Sequence, residues 1–179
     1  MSYQREYNKS GIVCMKEFVT YRLTGTGVWG YEFFDMERNQ IGFVRNALSR
    51  AEPVRIEGLG YSWYSRFGLD ATIVPGTGRR VKDNRTGQEV YRIIYWRPGL
   101  YQVRPEIGNS AQVEIRDGSY LFGPPEMPAT ALTERITDAE WLPPLGKTVE
   151  PYFRTMVYED DVSPAFLMMV LSFPALRFY

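Results

Sequence analysis

Hydrophobic and polar residues alternate over short stretches along most of this chain, and only its closing segment breaks that habit. GYEFFD at 30–35 and IGFVR at 41–45, separated by MERNQ, are two apolar runs joined by a polar loop, the pattern of a β-hairpin. Residues 53–59, 61–67 and 71–74 are further strand-length runs, the last ending at the turn PGTG. A unit comparable to the first hairpin returns where 91–96 follows DNRTGQ and passes through RPG into 100–104. Residues 111–116 and 119–122 flank Asp117-Gly118, a dipeptide that favours a two-residue hairpin turn. After Gly123, prolines at 124, 125, 128, 143, 144 and 151 exclude a long helix. The pattern there predicts a strand at 131–136, one helical turn at 137–142 capped by Asp138, and a last strand at 152–158. At the N-terminal side, CMKEFVTY at 14–21 predicts a strand with open limits.

The closing segment is SPAFLMMVLSFPALRFY at 163–179, and from 165 to 171 it is apolar on every side. Such a helix is surrounded by protein or lipid and does not lie on a surface. Ser163 suits the N-cap and Pro164 the first helical position, where no amide bond is lost. Pro174 is expected to stop or kink the helix. A bilayer span needs roughly 20 apolar residues, and Ser172 and Pro174 interrupt the run before that. A buried central helix is therefore favoured over a membrane insertion segment. Short antiparallel strands closing on one apolar helix predict a mainly β fold, a closed barrel threaded by that helix, in a single domain over 1–179.

Composition narrows the chemistry. The 44% hydrophobic and 23% charged content is ordinary for a globular protein, while 15% aromatics with thirteen tyrosines favour strands with amphipathic faces. The formal net charge is zero, which argues against a dedicated nucleic-acid binder. Histidine is absent, so Ser-His and Cys-His nucleophile pairs and most zinc chemistry are removed. The lone Cys14 allows no internal disulfide and has no partner that would lower its pKa. With no apolar signal region at the N-terminus, the expected location is cytoplasmic, with peripheral attachment to a membrane left open. No cofactor is expected.

Charge is unevenly spread. Between 79 and 104 there are seven basic residues against two acids, whereas between 106 and 161 there are eleven acids against four bases. The functional reading of the basic part is an anion or lipid-headgroup site formed by Arg79, Arg80, Lys82 and Arg85, with the amides of PGTG beside paired arginines. The alternative is a solvated hairpin whose arginines pair with the acidic half. The G-x-G pairs at 25/27, 58/60 and 76/78 lack the third glycine and following helix of a nucleotide loop and read as turns. Glu159, Asp160 and Asp161 lack the spacing of a calcium loop and read as residues that favour the start of the terminal helix.

The units YEFFDMERNQIGFVR and PYFRTMVYEDD together with the apolar terminal helix resemble the tubby C-terminal and LURP-one-related superfamily, to which phospholipid scramblases are related. The resemblance covers about 28–178. It implies a closed antiparallel barrel around a central C-terminal helix, and a non-enzymatic domain that binds an anionic lipid headgroup, a membrane surface or a protein partner. The family's phosphoinositide pocket is not matched residue by residue. The alternative is an enzyme that uses carboxylates or tyrosines in a cleft at the barrel mouth.

Overall fold

The structure is a computed structural model that describes residues 16–23, 30–45, 53–66, 78–106, 110–124, 127–136 and 149–176. The described residues form twelve strands and one helix. The strands are β1 Lys16–Leu23, β2 Gly30–Asp35, β3 Gln40–Arg45, β4 Val54–Gly58, β5 Tyr61–Ser65 and β6 Arg79–Asp83. They continue as β7 Glu89–Arg97, β8 Leu100–Pro105, β9 Ala111–Arg116, β10 Ser119–Gly123, β11 Ala131–Arg135 and β12 Val149–Val157. The helix, α1, is Pro164–Leu176. Each strand pairs antiparallel with its neighbours in sequence, and β1 pairs with β12, so the sheet closes into a barrel with no free edge.

Period-two alternation decides what faces the interior. In β4 the side chains of Val54 and Ile56 are buried while Arg55 between them is exposed. Phe18, Phe33, Val44, Ile56, Val81 and Val113 join the core that encloses α1. In β1 the intervening Val19 and Tyr21 are also buried, in a separate cluster with Phe34. Leu121, Leu132 and Met156 form another cluster beneath Ala129 of the β10–β11 connection. Parts of the wall are therefore apolar on both faces.

The helix is the predicted one. The Ser163 hydroxyl oxygen accepts the N–H of Phe166 at 3.1 Å, closing the N-cap. Met168 to Leu176 are buried without interruption. Pro174 does not stop the helix: α1 runs through it and finishes two residues later at Leu176. Proline removes the bond to the carbonyl one turn back, but here only the last turn is affected, and burial of Phe173 and Leu176 holds that turn in place. Glycine lets the wall approach α1: at Gly42 an added Cβ would overlap the Glu57 carbonyl oxygen and lie 3.2 Å from Met168 Cε. Gly58 opposite it has φ +154° and faces Met168 in the same way.

The strands predicted at 53–59, 61–67, 91–96, 100–104, 111–116, 119–122, 131–136 and 152–158 appear with shifts of a few residues at their ends. Those expected at 71–74 and the helical turn at 137–142 lie outside the described residues, as does Cys14. No helix among the described residues is long and apolar enough to cross a membrane.

Candidate functional site

The four basic residues singled out in the sequence do not converge. Consecutive residues of β6 project to opposite sides of the wall, so Arg79 points inward and is 6% exposed while Arg80 points out. Arg79 Nε donates to Ser65 Oγ at 2.8 Å, and its Nη1 donates to the carbonyl of Leu176 at 2.9 Å. That carbonyl ends α1, where helix C=O groups lack intrahelical partners and carry partial negative charge. Arg79 is thus a buried C-terminal cap. Outside, Arg80 lies 3.6 Å from Glu89, which also holds Arg92 through two 3.0 Å bonds. Arg80 and Arg92 find their acid, Glu89, within their own hairpin. Lys82 is half-buried near the end of β6, and Arg85 is exposed on the β6–β7 turn.

Alternate connections of an antiparallel meander share an end of the barrel, which places the β4–β5 and β6–β7 turns and the end of β8 beside the N-terminus of α1. Between these turns and the helix lies a cleft of about 510 Å³. Its walls carry four aromatic residues, Tyr61, Trp63, Tyr91 and Phe166. Val90, Val103, Pro105, Ala111, Ala165 and Met169 complete the apolar lining. Trp63, Tyr91 and Met169 are buried, whereas Thr86, Gln88 and Glu106 at the rim are exposed, so the cleft has a dry floor and a wet lip.

The aromatic floor is a packed unit. Trp63 lies 5.1 Å from Tyr61 and 5.5 Å from Tyr91, the latter edge-on at 74°. The Tyr91 hydroxyl bonds Ser172 Oγ at 3.1 Å, and Ser172 donates back to the Met168 carbonyl at 2.7 Å. Burial pushes the Tyr91 phenol well above its ordinary value, with the Ser172 bond and the charge of Arg79 acting in the opposite direction. The indole N–H of Trp63 is buried and has no acceptor among the described residues. A buried donor of that kind is costly to leave unmade.

The lip is acidic. Asp83, Glu89 and Glu106 line the cleft, and among the described residues no basic one does. Asp83 Oδ1 accepts the N–H groups of Arg85 at 2.8 Å and Thr86 at 3.1 Å, which keep its carboxyl below the usual carboxylate range. Glu159, Asp160 and Asp161 stand in the connection leading to Ser163. Among the described residues no group of three or more Asp, Glu or Cys side chains is placed to hold a metal ion.

Sequence reasoning located β5, β7, β8 and β9 but not β6, and it did not mark the cleft. The visible signal was YSWYS, in which Tyr61 and Trp63 are two apart and therefore share a face. What the sequence could not show is that this face meets the helix at the mouth. Comparison of the chain with protein-family models, with curated proteins and with solved structures finds no match.

Proposed function

We propose that this protein is a non-enzymatic binding barrel, with a small amphiphilic ligand seated in the cleft between the N-terminal turn of α1 and strands β5 to β9. The observation that carries this reading is the cleft itself, about 510 Å³ with four aromatic walls and a short polar rim. Pockets for small molecules fall at roughly 300 to 1,000 Å³ and combine an apolar lining with a few placed polar groups. Acid–base chemistry finds less support, because burial raises the Tyr91 phenol and amide hydrogen bonds lower the Asp83 carboxyl, each away from neutral pH. An anionic headgroup, the ligand that the family resemblance implies, would be met from outside the wall by Arg80, Lys82 and Arg85 without Arg79.

The test is titration with Nile red, a neutral apolar dye whose fluorescence rises on leaving water. One saturable site is expected, lost in Ala165→Trp, which fills the cleft from a half-buried position on α1. Dye uptake that does not saturate, or that Ala165→Trp leaves unchanged, removes the cleft as the binding site. A second titration with phosphoinositide vesicles reports separately on the outer arginines.

A further inference from the structure

Resting on the reading of the cleft as a binding site, we infer that its ligand carries a cationic head, of the alkylammonium or quaternary ammonium class, on an apolar body. Two independent features point to a cation, and none of the described residues lining the cleft opposes it. Aromatic rings attract cations through the negative potential over their faces, and Tyr61, Trp63, Tyr91 and Phe166 all border the cleft.

The second feature is the charge at the lip. Glu89 is compensated by Arg92 and Arg80, so it contributes little. Asp83 is held chiefly by neutral backbone donors, with the Arg85 side chain nearby on the exposed turn. Its charge is kept ionised and faces the cleft. Glu106 is exposed at the opposite side of the rim. A mouth of one sign raises the local concentration of the opposite charge. The helix N-terminus would favour an anion, but its Phe166 amide is already taken by Ser163 Oγ and that of Leu167 by the Ser163 carbonyl.

The experiment is displacement of bound Nile red by three ligands with the same tail, octyltrimethylammonium, octyl sulfate and 1-octanol, each below its aggregation limit. Octyltrimethylammonium is expected to displace the dye at a concentration at least tenfold lower than octyl sulfate, an advantage that shrinks as salt is raised. The double variant Asp83→Asn, Glu106→Gln removes both charges while keeping oxygen acceptors, and it should bring the three ligands within about twofold of one another. Its near-ultraviolet circular dichroism should match that of the unaltered protein. Equal displacement by all three tails in the unaltered protein overturns the cationic head and leaves the cleft reading intact, as does stronger displacement by the sulfate. Failure of all three tails to displace a saturably bound dye overturns it too. Dye that never binds saturably overturns the cleft reading and this inference with it.

Discussion

The two ends of the central helix are built for different work. At its C-terminal end Phe173, Ala175 and Leu176 are buried, and the last carbonyl is met by the buried guanidinium of Arg79. At its N-terminal end Ala165, Phe166 and Leu167 are only half-buried, the cap is a single exposed serine, and the wall stands off far enough to leave a cleft. The first end is tied to the wall by a buried hydrogen bond, whereas the second caps itself through Ser163 and borders a cavity. The contrast teaches that a barrel can be tied to its central helix at one mouth while the other mouth keeps a cleft. Local stability differs across a structure, and binding regions are drawn from the less stable part.

Removing the helix should break the comparison outright. A chain ending at Val162 loses the apolar residues that fill the barrel, and each fully buried large side chain contributes about 1.5 to 3 kcal/mol. Domain stabilities are only about 5 to 15 kcal/mol. Such a chain should be insoluble or show no cooperative thermal unfolding. A soluble, cooperatively melting truncation would contradict the central role of α1.

The sealed end is tested next by separating two neighbouring arginines. Arg79→Met keeps an apolar stem of similar length but leaves the Leu176 carbonyl and Ser65 hydroxyl without their donor. A destabilisation of about 2 to 4 kcal/mol is expected in denaturant unfolding. Arg80→Ser, one residue away on the outer face, should change stability by less than about 0.5 kcal/mol, because its pair with Glu89 is exposed. Equal effects at the two positions would mean that Arg79 does not cap the helix.

These arginines also mark how far the sequence could be read. The barrel and its helix were legible because alternation, Asp-Gly and Asn-rich turns, and one uniformly apolar segment are local signals. The start of α1 was legible for the same reason, since Ser163 and Pro164 act on the turn beside them. Arg79 was misleading as a neighbour of Arg80: adjacency in a strand means opposite faces, and the partner that explains Arg79 is Leu176, far away in the chain. Pro174 was read as a break because propensity says so, whereas burial in the last turn prevailed. The cleft was not legible, since it depends on which strands bend away from the helix, and no residue type announces that.

Midway along the helix, Tyr91→Phe sharpens the comparison by removing the hydroxyl beneath the cleft. Ser172 keeps its bonds to the Met168 and Met169 carbonyls, so the loss at neutral pH should be about 1 kcal/mol. The pH dependence is more specific. Burial raises the folded phenol above its unfolded value near 10, so the folded state retains a proton that the unfolded chain releases. Its contribution is present below about pH 10 and is lost as pH rises beyond that. Stability measured at pH 8 and pH 11 should therefore fall less in Tyr91→Phe than in the unaltered protein. An identical alkaline fall in both would show that Tyr91 ionises as easily folded as unfolded.

The smallest effect belongs to the open end, where Asp83 holds the β6–β7 turn through the N–H groups of Arg85 and Thr86. Those bonds are stronger to the ionised carboxylate, and they lower its folded pKa. A carboxylate lowered in this way contributes stability above its unfolded value near pH 4, and the contribution is lost as pH falls through the lower folded value. Asp83→Ala should reduce the melting temperature slightly at pH 7 and by still less at pH 3, so the two melting curves converge in acid. Asp83→Asn keeps an oxygen that can accept the same amides, and it should melt close to the unaltered protein at pH 7 while losing the charge at the cleft. The pair of variants therefore divides the residue's two duties. If Asp83→Ala melts as the unaltered protein does at both pH values, the turn is held without this carboxylate, and any effect of its removal on ligand binding is electrostatic alone.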